Sequence, residues 1–494
     1  MKTINYNHIL RRNPAVSGRR LDENDHIVLY NSDTGREKFV NRTGIAIWQA
    51  LDGISSLEDQ ATAILEKFEV DTSCETVKED VLEFSKVLLA EELILVQNDK
   101  LSVADTPEKY CSINDAPKHV DLCLTGKCNL KCKYCFYANE MIGRSDLPTE
   151  DWIIFFKELK HLGVRSLTLS GGEIFVRPDL WELIDAIIDA RMSFSILTNG
   201  TLINEKTLDK FNEKNRKRRL SSIQVSIDGS CAEVHDKSRG AGSFEQAIRA
   251  LSLLKKEGYP VTSRVTINRH NVDDLEHVSK LLLEHVGLNS ISTNSAMPMG
   301  AACNNQADIT LLPQQQLQAM RVLQKLAKKY DQRITAGAGP LVKIESYREM
   351  ERARLYGVKS KTWVMGSLSA CGGAFMKLSV NHDGIITPCN MLPSSELGVI
   401  NKDSLSEIWL ENPTQQALRD RKKLSTSEAK GCENCEWTPY CNGSCPGLAK
   451  ELTGDFNSGN PHDCYRNFLN TISKKERYDM FIRPVEEEHA AQNE

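Results

Sequence analysis

Three thiols stand close together in Cys128-Asn129-Leu130-Lys131-Cys132-Lys133-Tyr134-Cys135. Thiolates spaced C-x3-C-x2-C can bind three irons of a cubane [4Fe–4S] cluster and leave the fourth iron open. An open iron can chelate a substrate or cofactor rather than only pass electrons. Structural zinc wants four ligands in a closed site, so the spacing favours the cluster. A second constellation runs Cys371, Gly384-x4-Cys389, Cys432-x2-Cys435-x5-Cys441-x3-Cys445 and Cys464. Its four central cysteines in isolation read as a zinc ribbon. Seven cysteines, however, do not divide into closed zinc sites. The chain has 15 cysteines in all. Met1–Tyr6 lacks the charged-then-apolar layout of a signal peptide, and no apolar run approaches the roughly 20 residues of a membrane span. The expected location is therefore the cytoplasm, where thiols stay reduced and metal ligation explains so many cysteines better than disulfides do. None of the 11 histidines sits in a nucleophile or zinc-hydrolase motif.

These residues must be positioned by a large scaffold. The 494 residues are 40% hydrophobic and 26% charged with a net charge of -5, which suits two or three ordinary globular domains and excludes a strongly basic nucleic-acid field. One basic run, Lys214–Arg219, reads as a solvated helix end. From residue 118, strand and helix signals alternate. The strands are expected at Val120–Leu124, Ser166–Leu169, Phe194–Leu197, Ile223–Ile227, Ser263–Ile267 and Ser290–Thr293. Amphipathic stretches such as Trp152–Leu162, Leu180–Asp189, Phe244–Glu257 and Asp274–Leu283 lie between them. Such alternation predicts a parallel sheet with crossover helices, and six units predict a partial (β/α)6 TIM-type barrel. The cysteine triad follows its first strand, where barrels carry their catalytic groups.

The triad and its surroundings resemble the radical S-adenosylmethionine (SAM) superfamily. Ser170-Gly171-Gly172-Glu173 follows the second strand as that family's GGE motif does, and the glycines allow close backbone approach. Thr198-Asn199-Gly200 ends the third strand. Ser226-Ile227-Asp228-Gly229 ends the fourth, with His235-Asp236 and Arg239-Gly240 beyond it. The resemblance implies that Cys128, Cys132 and Cys135 hold the catalytic cluster. It further implies that Gly171, Gly172 and Glu173 meet the SAM ammonium and that Ser226 and Arg239 are candidates for its carboxylate. Tyr134 would lie beside the adenine, and Asn199 joins the cofactor-binding set. A reduced cluster then cleaves SAM, and the 5′-deoxyadenosyl radical takes hydrogen from the substrate. An external electron donor such as flavodoxin or ferredoxin is implied.

The second constellation resembles the seven-cysteine SPASM extension. That resemblance assigns Cys432, Cys435, Cys441 and Cys464 to one auxiliary [4Fe–4S] cluster and Cys371, Cys389 and Cys445 to another, making three clusters. Some relatives carry an eighth cysteine just before the first, but Lys361–Leu368 has none, so the remaining iron is open or otherwise bound, with Cys303 a remote candidate. Cys74, Cys111, Cys123, Cys231 and Cys303 read as plain thiols.

Residues 1–103 form a separate unit: strand-like His26–Tyr30 and Glu37–Val40 about a turn at Asn31–Gly35, and a helix from about Gly44 to Leu51 capped by Asn41 or Thr43. Helices near 57–69 and 75–91 and a strand at Glu92–Val96 complete it. This winged-helix-like layout resembles the PqqD-like recognition element of peptide-modifying radical SAM enzymes, which implies capture of a precursor's leader peptide as an added strand. Its acids (Asp22, Glu23, Asp25, Glu58, Asp59, Glu66, Glu69) argue against DNA. The remaining boundaries are a linker at 104–117, the barrel at 118–330, a helical bridge at 331–365, the SPASM domain at 366–484 and a frayed tail at 485–494. The implied activity is crosslinking of a ribosomally made peptide, first of all as a thioether, with carbon–carbon crosslinking as the alternative. Oxidation of a residue in a folded protein and a zinc-binding winged-helix regulator are the more distant readings. No nucleic-acid or membrane partner is expected.

Overall fold

A computed structural model describes residues 4–20, 27–31, 33–67, 74–97 and 116–493. The expected linker falls almost wholly outside the described residues. The chain divides into two compact units, one made of residues up to Ala116 with Lys157–Arg165 and Asp189–Met192, the other of the remainder.

The first unit holds two small antiparallel sheets. One orders β5 (Asp52–Ser56), β1 (Ile9–Arg12) and β6 (Ile94–Gln97); the other orders β2 (Val16–Arg20), β3 (Ile27–Asn31) and β4 (Glu37–Val40). Three helices follow the hairpin in sequence: α1 (Arg42–Ala50), α2 (Leu57–Lys67) and α3 (Cys74–Ala90). Asn41 caps α1 by accepting the Gly44 N–H at 2.9 Å, which settles the choice between Asn41 and Thr43. Leu10, Leu29, Trp48, Leu51, Leu57 and Leu88 share one core. Strands β1, β2 and β5 go beyond the sequence expectation. Val16-Ser-Gly-Arg-Arg and Asp52-Gly-Ile-Ser-Ser have no apolar alternation, and only pairing with other segments, Val16 with Asn31 and Ser56 with Ile9, makes strands there.

The second unit is built on a ten-stranded open sheet ordered β13-β12-β11-β10-β9-β8-β7-β14-β15-β16. Strands β7 (His119–Thr125), β8 (Ser166–Gly171), β9 (Ser193–Thr198), β10 (Leu220–Ser226), β11 (Val261–Ile267) and β12 (Ile291–Ser295) are the six expected. All run parallel, and each is followed by helix. The barrel goes one strand further than 330: β13 (Ile334–Ala336) pairs parallel with β12, so the expected helical bridge begins with a barrel strand before its helix Pro340–Tyr356. On β8, Leu167 and Leu169 are fully buried while Ser166, Thr168 and Ser170 on the opposite face stay partly open. The same alternation leaves Ser195, Gln224, Arg264 and Asn294 on the polar face.

β14 (Lys377–Val380) joins the other edge of the sheet, parallel to β7, and β15 (Ile385–Thr387) and β16 (Gly398–Val399) continue it antiparallel. An aromatic core of Tyr347, Trp437, Tyr465, Phe468 and Phe481 packs against Cys435 and Cys441. Beneath it the fully buried Glu351 accepts from Tyr465 Oη and Arg477 Nε, both at 2.7 Å. The expected frayed tail is instead the helix Arg483–Asn493, anchored by buried Val485, by Arg352 to Glu488 at 2.6 Å and by His489 stacked on Tyr356. No helix among the described residues is long and apolar enough to cross a membrane.

Candidate active site

The triad occupies the loop that leaves β7, and neighbouring segments fix that loop. Lys133 N–H donates to the Ser238 carbonyl and Ala301 N–H to the Cys135 carbonyl, both at 2.9 Å. Asp146 accepts the Thr125 hydroxyl and the Gly126 N–H, both at 2.7 Å. The GGE segment lies directly against it: Glu173 N–H donates to the Lys127 carbonyl at 2.9 Å. A Cβ on Gly172 would stand 2.2 Å from that same carbonyl oxygen, and one on Gly171 (φ +140°) 2.4 Å from the Thr125 carbonyl oxygen. Only glycine fits either position.

The three thiols influence one another. Burial pushes Cys135 up to about 11, with Cys132 and Cys128 adding to the rise, and burial likewise raises Cys128 and Cys132. Three thiolates at this depth need a cationic centre to offset them, and the Leu130 N–H already points at Cys128 Sγ at 3.4 Å. The donor set therefore fits an iron–sulfur cluster. Among the described residues no three His, Cys, Asp or Glu side chains are gathered as ligands of a single metal ion; a cube whose cysteines bind different irons does not require that.

Glu173 is buried and saturated. Thr198 Oγ1 donates to both its oxygens at 2.9 and 3.0 Å, and Asn199 N–H donates at 2.7 Å. Burial pushes this carboxyl up, and those bonds oppose the rise. Asn199 Nδ2 donates in turn to Asn129 inside the cysteine loop at 2.9 Å. Arg239 and Tyr134 share one partner: Arg239 Nε donates to Asp228 Oδ2 at 2.7 Å and Tyr134 Oη donates to the same oxygen. The Arg239 guanidinium lies 5.5 Å from the Tyr134 ring centre, and its two Nη groups take no partner among the described residues. They remain available to an anionic group. Ser226 stands at the end of β10 beside Arg264 of β11. Asp228 was missed as a site residue, because it reads as an ordinary polar strand end. Its other oxygen accepts the Thr266 N–H at 2.8 Å, and its own N–H donates to His235 Nδ1 at 3.1 Å. Burial lowers His235 to about 4, which keeps it neutral as an acceptor.

The C-terminal cysteines fall into two groups. Burial raises Cys432 to about 11, followed by the effects of Cys441, Cys464 and Cys435. Burial raises Cys389 to about 12, with Cys371 and Cys445 adding to it. The Gly443 N–H donates to Cys441 Sγ at 3.3 Å. This donor chemistry too fits clusters rather than idle thiols. Cys303 donates its thiol to the Pro298 carbonyl at 3.0 Å and is exposed; Glu451, on the helix that follows Cys445, is a charge that acts on it. Cys123 is buried in β7, its sulfur 3.7 Å from Ser170 Oγ.

The family model of the radical SAM superfamily matches residues 122–282. That of coenzyme PQQ synthesis protein D (PqqD) matches 26–94, and that of the SPASM iron–sulfur cluster-binding domain matches 371–436. Among curated relatives, the AdoMet-dependent heme synthase of Methanosarcina barkeri is 27% identical over 72% of this chain and 98% of its own. The PqqA peptide cyclase of Ruegeria pomeroyi is 29% identical over 67% of this chain and 83% of its own. Among solved structures, Streptococcus suis SuiB bound to precursor peptide SuiA shares the fold at TM-score 0.60 and 14% identity, covering 92% of this chain and 100% of that one. The chain is thus a radical SAM enzyme, using SAM and iron–sulfur clusters. Within that class it is a radical SAM/SPASM protein with a PqqD-like N-terminal domain.

Proposed function

We propose that the enzyme crosslinks a ribosomally made precursor peptide, joining a cysteine sulfur to a residue carbon as a thioether, with Cys128, Cys132 and Cys135 and the two SPASM sets holding three [4Fe–4S] clusters. The observation that carries the peptide reading is the PqqD match at 26–94 in front of a radical SAM domain. Similarity to the heme synthase and to the peptide cyclase is nearly equal, so those relatives alone do not choose a substrate. The polar sheet face supports a peptide as well. Among the described residues Arg264 has Ser292 Oγ, at 3.3 Å, as its only side-chain acceptor, and the buried Oδ1 of Asn294 has no partner; both suit backbone amides.

Once bound, SAM and a reduced cluster supply a radical that removes one hydrogen atom from the peptide. The chain's own residues orient the reactants. The Nη groups of Arg239 and the hydroxyl of Ser226 would receive the SAM carboxylate, while Tyr134 would border the adenine. Gly171, Gly172 and Asn199 would hold the methionine end against the cysteine loop, with Glu173 fixing Asn199 through its N–H. The incomplete Cys371, Cys389 and Cys445 set leaves one iron for a substrate thiolate, which favours a thioether over a carbon–carbon bond. An external donor such as flavodoxin or ferredoxin supplies the electron, in the cytoplasm.

The test is anaerobic purification and reconstitution, followed by incubation with SAM, reductant and a short cysteine-bearing peptide encoded nearby. About twelve irons per chain, 5′-deoxyadenosine, and a peptide lighter by two hydrogens with one fewer alkylatable thiol are expected. An unchanged thiol count with the same mass loss would indicate carbon–carbon crosslinking. Zinc without iron, or no SAM cleavage, would return the chain to the regulator reading.

Leader capture has its own test. β4 is an edge strand carrying Phe39, 69% exposed, an apolar anchor of the kind that strand addition uses. Phe39→Asp is expected to weaken leader binding about tenfold, on the order of 1.4 kcal/mol, as read by fluorescence anisotropy. SAM cleavage without peptide should be unaffected.

A further inference from the structure

After the helix Pro413–Asp420 the chain makes one tight turn, Arg421–Lys423. Arg421 is 0% exposed. Its Nη1 donates to the carbonyl of Ser369, two residues before Cys371. Its Nε and Nη2 are buried without a partner among the described residues. A guanidinium has five N–H donors and no acceptor, so two idle nitrogens at this depth, carrying three of those N–H groups, call for a partner that the described residues do not supply.

The surroundings indicate what that partner is. The charges acting on Arg421 are the Cys445 and Cys371 thiols and Asp455, set against burial that pulls it down to about 10. Nη2 lies 3.8 Å from where a Cβ on Gly443 would stand, in the turn between Cys441 and Cys445. The guanidinium is therefore enclosed by the segments that carry two of the three cysteines. Lys377 is another cation near this group, but it is committed to Asp121 at 2.7 Å.

We propose that Arg421 donates through Nε and Nη2 to sulfur atoms of the auxiliary cluster held by Cys371, Cys389 and Cys445, and so raises that cluster's reduction potential. This rests on the reading that those cysteines bind a cluster. Each electron a cluster takes adds one negative charge. A fixed cation with N–H donors aimed at its sulfurs stabilises the reduced form more than the oxidised form. Arg421 is a positioning and tuning residue and not a ligand, because a protonated guanidinium has no lone pair to give to iron.

The experiment is a potentiometric titration of the reconstituted enzyme followed by electron paramagnetic resonance, with the signal assigned by its loss in Cys389→Ala. Arg421→Gln is expected to lower this one potential so that the reduced-to-oxidised ratio at a fixed potential falls at least tenfold, equivalent to about 59 mV for one electron. The other two clusters should not move. Arg421→Lys, which retains the charge, should recover part of the shift. An unchanged potential, or an equal shift in all three clusters, overturns the proposal. A second measurement needs no variant to fold. Wild-type enzyme labelled with 15N-arginine should show a weak nitrogen coupling at the reduced cluster, and its absence, or a strong coupling from a direct iron–nitrogen bond, is the contrary result. If Cys389→Ala leaves the iron content unchanged, the cluster reading itself fails, and the proposal with it.

Discussion

Gly172→Ala is expected to abolish 5′-deoxyadenosine formation and, on the proposed three-cluster reading, to lower iron from about twelve to about eight per chain, as though a cysteine ligand had been removed. The cause is steric. The new methyl would stand 2.2 Å from the Lys127 carbonyl oxygen, 2.5 Å from its carbon and 3.0 Å from Cys128 Cβ. Two of those three atoms are backbone, which cannot rotate aside, so the cysteine loop or the GGE segment must shift. The cysteine loop is already held by Ser238 and Ala301 and by Asp146. A displaced Cys128 leaves two well-placed thiolates, too few for a site-differentiated cube. Iron counting and chromatography of the SAM products check the outcome, with Cys128→Ala as the benchmark. Gly337→Ala, where nothing lies within 4 Å of the added methyl, should leave both readings unchanged.

The second large effect is expected from Asp228→Asn. Asp228 is buried and accepts from Arg239 Nε, Tyr134 Oη and the Thr266 N–H. Removing its charge leaves a buried guanidinium without its counter-ion, which costs about 3–5 kcal/mol. The amide also turns one acceptor atom into a donor facing other donors. Unfolding in denaturant should therefore begin earlier. SAM cleavage should fall at least about 100-fold, because about 2.7 kcal/mol of misplacement at Arg239 and Tyr134 is enough for that. Calorimetric SAM binding separates the causes: weaker binding with an intact cluster places the defect at the Arg239 end, and iron loss places it in the loop.

The barrel was largely legible in the sequence because its strands are apolar runs separated by amphipathic helices, and observed ends such as His119–Thr125 differ little from the expected Val120–Leu124. The Cys128–Cys135 triad stood out because its spacing is local, whereas the division of the seven C-terminal cysteines, spread from Cys371 to Cys464, came only with the resemblance to the SPASM extension. What escaped depends on partners far away in the chain. β13 has three residues and exists through its pairing with β12. Asp228 looks like any strand-end acid until Tyr134 and Arg239 arrive from separate segments. The one basic run read from the sequence misled in the same way. Lys214–Arg219 reads as solvated, yet Arg216 is buried, donates to Asp185 at 2.6 and 2.8 Å and lies over Trp181. Arg421 hides within Arg419-Asp420-Arg421-Lys422-Lys423, while Lys423 in the same run is 67% exposed at its side chain. A run of like charges does not indicate which member turns inward.

The pairing of β14 with β7 has a consequence for biosynthesis. Ser379 Oγ reaches the Asp121 carbonyl across 258 residues of sequence. During translation at roughly 5–20 residues per second, the first barrel strand leaves the ribosome tens of seconds before the strand that covers its edge. Throughout that interval Val120, Leu122 and Leu124 belong to a sheet with an open hydrogen-bonding margin, the kind of surface that recruits stray strands. Chains that stall or are cut before Lys377 would retain that margin permanently. Products truncated before Lys377 are therefore expected to aggregate more readily than the full chain, as sedimentation of the two after expression would check.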